Sequence, residues 1–391
     1  MQIVFWISLA IILYAYAGYT LILFISCQIK KLFTIDDITP TSGYEPEVTL
    51  FITAYNEAGS IKKKMENSLD MDYPKEKLKI VWVTDGSNDN SAELLAVYKE
   101  VTILHENIRK GKIHAMNRGM QFVNTPIVIF SDANTSLNRE AIREIVKLFR
   151  HDKVGCVSCE KRIFMGDKET AVSSGEGIYW QYESQIKKLE SDLNSTVGAA
   201  GELFAIRTAL FNPVKPDTIL DDFMISLEIA RKGYKIKYTP YAFAQENASL
   251  NIHEERKRKI RIASGGIQTF FRKPDLLNPF RYGFLSFQYF SHKVLRWIFV
   301  PLAFITILIT NILIVLKSQY SQVLFYFVLM AQCLFYMLIL AGWILRNRRI
   351  RLKLLFMPYY LFVMNYSIIE GILRYITGSY TVLWEKSSRA D

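Results

Sequence analysis

Apolar and polar positions alternate along this chain on two scales. On the coarse scale, uncharged apolar stretches at Met1–Ile29, Trp297–Leu316 and Ser318–Leu345, with a weaker one at Leu354–Leu373, bracket a long polar middle. The first three are long enough to cross a hydrocarbon layer of about 30 Å as helices. The fourth carries Pro358 and, near its end, Glu370, so it reads either as a span or as an interfacial or re-entrant segment. Met1–Ile29 lacks a basic start and a small-residue cleavage site, which predicts an uncleaved anchor.

On the fine scale, apolar runs at Val48–Thr53, Ile80–Thr84 and Ile127–Ser131 alternate with segments of helical period at Ala58–Leu69, Asn90–Tyr98, Gly111–Phe122 and Asn138–Phe149. Asn138 stands where an N-cap residue would. The alternation predicts βαβ units and a mostly parallel sheet. Each apolar run ends in a polar cluster: Tyr55-Asn56-Glu57, Asp85-Gly86-Ser87 and Asp132-Ala133-Asn134. In open α/β sheets, ligands gather at the carboxyl ends of the strands, so these tips predict one crevice lined by carboxylates and amides. A later acidic pair, Asp221-Asp222, precedes the helical pattern Phe223–Lys232. Neither GxGxxG nor GxxxxGK[ST] occurs, which argues against a dinucleotide oxidoreductase and a P-loop enzyme.

Composition sharpens this. Half of the 391 residues are hydrophobic although 22% are charged, a mixture of membrane and soluble parts rather than a pure transporter. The net charge of +11 sits largely at the edges of the apolar segments: Lys30-Lys31, Lys293 with Arg296, and the run from Arg346 to Lys353. That distribution makes membrane lipid the partner and leaves nucleic acid out. It also predicts four spans with residues 30–293 in the cytoplasm and both termini outside. The expected setting is a bacterial-type plasma (inner) membrane. Between the middle and the second span, Asn278–His292 is aromatic but interrupted by polar residues, an interfacial helix or a packed loop. Of four cysteines, Cys156 and Cys159 form one CxxC with no second Cys/His cluster, so buried free thiols are expected rather than a zinc site. The resulting division is an anchor at 1–29, a soluble domain at 45–275, the segment 278–292, and a membrane region of three helices at 294–383.

Taken in order, Ala54-Tyr55-Asn56-Glu57, Asp85-Gly86-Ser87, Lys110-Gly111-Lys112 with Ala115 and Asn117, Asp132-Ala133-Asn134, Gly198–Arg207 (GAAGELFAIR) and Asp221-Asp222 resemble the motifs of the family 2 inverting glycosyltransferases. The resemblance is strongest to the membrane-bound branch of cellulose, hyaluronan and poly-N-acetylglucosamine synthases, and covers about residues 45–275. It implies an α/β fold of the GT-A type, flanked by transmembrane helices, and a nucleotide-sugar donor, UDP-linked in that branch.

By the same resemblance, Tyr55, Asn56, Glu57 and Asp85 would meet the nucleoside, and Lys112 the diphosphate as a point charge. Asn56 and Glu57 also suit capping of the helix that follows, and Lys112 a solvated surface. Asp132-Ala133-Asn134 stands where the family has DxD. Hard oxygen ligands there suit Mg2+ or Mn2+ bridging two phosphates; Asn134, in place of the second Asp, brings an amide oxygen without charge, or merely caps a turn. Asp222 takes the position of the base that deprotonates the acceptor hydroxyl, with N-capping as the structural reading. Asp221 would support it, since adjacent carboxylates disfavour double ionisation. Gly201 and Glu202 fall in the acceptor-lining segment.

The family's Gln-x-x-Arg-Trp corresponds to Arg258, Arg261 and Ile262 in RKRKIRIASGG. Two arginines remain for phosphate, or for anionic lipid, but the aromatic platform for an acceptor sugar is gone. Gly175–Glu183 (GEGIYWQYE) offers aromatics for carbohydrate or for the core. The expectation is transfer of one or a few sugars to a lipid-linked or growing glycan. A processive synthase that extrudes its polymer is the alternative. A membrane protein with a regulatory nucleotide-binding domain is a third, disfavoured because Glu370 is the main ionisable residue within the spans.

Overall fold

The computed structural model describes residues 1–33, 43–164, 171–317, 323–345 and 353–383. The basic run at 346–352, used above for orientation, lies outside them.

Eight strands form one sheet among the described residues: β1 (Val48–Ala54), β2 (Leu78–Thr84), β3 (Val101–Leu104), β4 (Ile127–Asp132), β5 (Ser136–Leu137), β6 (Val154–Phe164), β7 (Leu203–Arg207) and β8 (Lys235–Asn247). Their order is β3-β2-β1-β4-β7-β6-β8-β5. The three apolar runs seen in the sequence become β1, β2 and β4. All seven residues of β1 are buried, as a parallel strand covered on both faces requires. The parallel expectation holds for β3-β2-β1-β4 and for β6 with β8. It fails at β7, which runs antiparallel to both β4 and β6. The chain leaves β6 through one 23-residue helix and returns in the opposite sense, so no βαβ crossover forms there.

The helices are α1 (Gln2–Phe33), α2 (Ala58–Leu69), α3 (Lys112–Gly119), α4 (Ala141–Leu148), α5 (Ala171–Leu193), α6 (Asp221–Arg231), α7 (Ile252–Arg272), α8 (Phe284–Lys317), α9 (Val323–Leu345) and α10 (Lys353–Ile376), and some of them cover both faces of the sheet. Strand alternation divides the core into two. Leu50, Ile52, Trp82 and Ile129 meet α2 and α4 on one face. Phe51, Val83, Phe130 and Phe204 meet α3 and α6 on the other. The helix expected over Asn90–Tyr98 is confined to Ser91–Leu95. Asn138 does not cap α4. Its amide oxygen accepts from Phe243 N–H at 2.8 Å and its nitrogen donates to the Tyr241 carbonyl at 2.9 Å, bracing β8 instead. Cys156 and Cys159 are buried free thiols, and burial pushes both thiols up.

Three helices, α1, α8 and α9, are long and apolar enough to cross a membrane, and the protein is an integral membrane protein. The Asn278–His292 segment divides at Gly283, whose φ is +54°. One short turn, Pro279–Tyr282, precedes it, and the remainder is the start of α8. Tyr14 Oη and Ser291 Oγ join the π-helical turns of α1 and α8 at 2.8 Å. The Pro358-bearing helix α10 lies against α7, where Ser264 Oγ donates to the Gly371 carbonyl at 2.9 Å. Glu370 is ion-paired with Arg256 of α7 and with Arg374, not isolated in an apolar span.

Small residues set the closest approaches. A Cβ at Gly119 on α3 would stand 2.5 Å from the Phe51 ring and 2.6 Å from Val83. Gly119→Ala is therefore expected to cost about 1–3 kcal/mol by overpacking. Gly59→Ala, where nothing lies within 4 Å, should be neutral or stabilising. Thermal unfolding of the two variants in detergent checks the contrast; equal melting temperatures would contradict the packing described.

Candidate active site

The carboxyl ends of β1 and β4 and the head of α6 border a cavity of about 380 Å3, lined among others by Glu57, Lys112, Asp132, Asn134, Gly201, Asp221 and Asp222. The tips of β1 and β4 bring Glu57, Asp132 and Asn134 together, whereas Tyr55, Asn56 and the β2 tip Asp85-Gly86-Ser87, expected in the same crevice, do not line the cavity. Asp221 and Asp222 arrive from the far side, on the first turn of α6.

Asp85, at the end of β2, is buried and fully committed. Its two oxygens accept the N–H groups of Lys110 at 2.9 Å and Gly111 at 2.8 Å. This holds the turn into α3, where Gly111 adopts a φ of +99° that favours glycine. Asn56, also left-handed at φ +54°, accepts from Asn88 N–H at 3.0 Å. Glu57 is buried and accepts from Ser60 Oγ at 3.0 Å. The first N–H of α2, that of Ala58, is capped by Asp89 at 2.9 Å, a residue the sequence pattern does not single out. Tyr55 is covered by the guanidinium of Arg109, 3.8 Å from its ring centre.

Lys112, at the start of α3, reaches Asp132 at 2.9 Å and Asp221 at 3.5 Å. Burial disfavours its charge, but Asp132 and Asp221 outweigh that and hold the ammonium above its ordinary range. Lys112 is therefore a cleft residue and not a solvated one. Below the Asp132–Thr135 turn lies Lys64, buried, donating to Ser131 Oγ at 2.7 Å and to the Thr135 carbonyl at 2.9 Å. Burial pushes its ammonium down to about 7. Lys64 closes the run Lys62-Lys63-Lys64 in α2, which gives no signal that it turns inward.

Asp132 and Asn134 both face the cavity. Among the described residues no three acidic, His or Cys side chains converge on one point. The chain thus offers one or two hard oxygens, the number that suits a divalent cation whose shell is completed by substrate phosphates.

Asp222 does not cap α6, whose cap position is Leu220. Burial raises its carboxyl to about 7, with Asp221 adding to the effect and Lys112 opposing it. A Cβ at Gly201 would stand 3.2 Å from Asp222 Oδ2, so glycine keeps the space beside the carboxylate open. Asp221 is buried, and among the described residues its Oδ2 makes no hydrogen bond and lies 3.5 Å from Lys112.

Glu202 faces a different environment. It accepts from buried Lys161 at 2.6 Å; burial opposes its charge, but Lys161 and Arg258 hold the carboxyl well below the usual range. Arg258 bonds Glu176 at 2.7 Å and Glu255 at 3.1 Å, so its guanidinium serves this buried acid cluster. Arg261 lines the cavity and donates to the Ile219 carbonyl at 3.4 Å. Ile262 lines it too. Aromatic surface comes from elsewhere: Trp180 of α5, and Trp297 of α8, which packs over Gly266, where a Cβ would meet its ring at 2.1 Å. Trp297 and Lys187 also border the cavity, but they lie outside every motif read from the sequence.

Comparison with known proteins agrees with this geometry. Residues 49–214 match the family described as glycosyl transferase family 2. A poly-beta-1,6-N-acetyl-D-glucosamine synthase of Staphylococcus aureus is 30% identical over 237 residues, 58% of this chain and 56% of that protein. The synthase of Staphylococcus epidermidis is 23% identical over 293 residues, covering 72% of this chain and 70% of its own length. The chain thus spans just over half the length of the S. aureus relatives it matches. Among solved structures, a mannosyltransferase of Pyrobaculum calidifontis in complex with GDP-Man and Mn2+ has the same fold, with a TM-score of 0.70 at 22% identity over 96% of this chain and 100% of that one. Fold, strand-tip residues and sequence likeness converge: residues 49–214 are similar to the family 2 glycosyltransferases, and the chain is similar to the poly-beta-1,6-N-acetyl-D-glucosamine synthases.

Proposed function

We propose that this protein is a membrane-anchored, inverting glycosyltransferase of cell-surface polysaccharide synthesis. It moves a hexose or N-acetylhexosamine from a UDP-sugar to a lipid-linked or growing glycan, on the cytoplasmic side of the membrane. The observation that carries this reading is Asp222, which lines the same cavity as Lys112 and Asp132 and whose carboxyl burial raises to about 7. A base works best when its pKa lies near the operating pH. Asp222 accepts the proton of the acceptor hydroxyl as that oxygen attacks the anomeric carbon. Attack from the face opposite the leaving diphosphate inverts the configuration.

The other residues prepare the leaving side. Lys112 and Arg261 supply positive charge to the diphosphate. Asp85 acts by holding the Lys110–Gly111 turn that aims Lys112, and Tyr55, Asn56 and Glu57 border the nucleoside end. A divalent cation, Mg2+ or Mn2+, held by Asp132 with Asn134, would neutralise charge on the departing phosphates. Gly201 leaves the acceptor oxygen room next to Asp222.

Asp222→Asn is expected to lower transfer by roughly 10²–10⁴-fold while donor affinity stays within a few-fold; an unimpaired variant would remove the base assignment. The base must be ionised, and its carboxyl sits above the ordinary aspartate range, so transfer rates should climb as pH rises through about 7 and fall away below it. A pH profile governed only by a group near 4 would contradict this. Chelation by EDTA should abolish turnover, added Mg2+ or Mn2+ should restore it, and Asp132→Ala should raise the metal concentration required. Full activity in EDTA would sink the metal. A donor panel read by mass spectrometry, with the purified full chain, tests the reaction class itself.

A further inference from the structure

The cavity that contains Asp222 is also lined by residues from α5 and from the foot of α8, which the reaction above does not use: Trp180, Glu183, Lys187, Lys293 and Arg296. Their charges do not balance. Glu183 is the carboxylate of this group, and it is engaged by Arg296, by His292 Nε2 at 3.1 Å and by Lys293 at 3.5 Å. The other nitrogen of His292 is taken by Glu190 at 2.8 Å. Among these lining side chains, Lys187, Lys293 and Arg296 thus stand with one carboxylate, Glu183.

Lys187 is the surplus one. Only 7% of it is exposed, and it makes no hydrogen bond or ion pair among the described residues. The Trp180 ring centre stands 5.9 Å from its ammonium. Glu160, whose carboxylate feels the Lys187 charge, is committed to Ser184 at 2.9 Å and to Tyr238. The stem of Lys187 is buried and its unpaired ammonium borders the cavity, and a cation left without a counter-charge in a confined wall points to an anionic ligand. The donor diphosphate has cations of its own, Lys112 and Arg261, on other elements. The Trp180 ring, approached also by Lys161 at 4.8 Å and Lys259 at 5.3 Å, adds a flat apolar wall beside the charge.

Building on the glycosyltransferase reading, we propose that Lys187, with Lys293 and Arg296, binds a phosphate monoester carried by the acceptor. A monoester brings a charge of about −1.5 to −2 near neutrality, which matches an excess of two positive charges. The phosphate could be borne by a polyprenyl chain or by a water-soluble sugar, and the chemistry of recognition is the same.

Binding to the full chain in detergent, by calorimetry, separates the possibilities. Farnesyl phosphate and glucose 6-phosphate are the probes, with farnesol and glucose as neutral counterparts. At least one phosphorylated probe should bind about tenfold or more tightly than its neutral counterpart, the tighter of the two identifying a lipid-borne or a soluble source. Lys187→Met should remove that preference, Lys187→Arg should retain it, and Lys112→Met should leave it in place. Lys293→Met, on a different helix, should weaken it independently if Lys187→Met does not fold. Equal affinity for phosphorylated and neutral probes, or a preference lost in Lys112→Met and kept in Lys187→Met, would overturn the proposal. Failure to turn over any nucleotide sugar would instead count against the glycosyltransferase reading and leave this binding result intact.

Discussion

The ammonium of Lys112 joins two parts of the molecule that sequence and topology keep apart. Asp132 ends β4, in the parallel half of the sheet, whereas Asp221 begins α6, beyond the antiparallel strand β7. Without a cation between them, Asp132, Asp221 and Asp222 would face one cavity as three carboxylates, a repulsion that low-dielectric surroundings amplify. Lys112 can stand there because Asp85 spends both oxygens on the preceding turn and because Gly111 accepts a positive φ. The raised carboxyl of Asp222 follows from the same arrangement. Lys112 is closest to Asp132 and Asp221, so burial and Asp221 prevail at Asp222.

Much of this was legible in the chain because the signals are local. An apolar run ending in Asp-Gly-Ser or Asp-Ala-Asn marks both a buried strand and its tip, and β1, β2 and β4 appear where those runs lie. What escaped was tertiary. Asp89 caps α2 from 31 residues away in sequence. Asn138 looks like a cap by position, yet its amide matches two backbone groups of β8 better. Arg258 looks like a phosphate ligand by alignment, but Glu176 and Glu255 surround it. The sense of β7 was also hidden, since strand direction depends on how α5 returns the chain and not on any residue within LFAIR.

The missing aromatic at Ile262 is a related case. Its absence from the motif is real, but the cavity is not without rings, because Trp180 and Trp297 enter from helices distant in sequence. Gly265 and Gly266 on α7 are what admit neighbours so closely, Leu220 against the first and Trp297 against the second. Small residues in one helix thus determine which large ones from others can border the cleft.

The same logic applies where α10 meets its neighbours. A Cβ on Gly371 would stand 2.6 Å from Ala263 and 2.7 Å from the Ile260 carbonyl of α7, and one on Gly342 of α9 would stand 2.5 Å from Tyr359 of α10. At Gly371 the contact is with backbone and a methyl group, and at Gly342 with the Cβ of Tyr359, atoms that no rotamer change moves away. The join between the apolar helices and the domain that carries Asp222 is accordingly a stiff coupling, a beam pinned at two places along its length, and not a swivel.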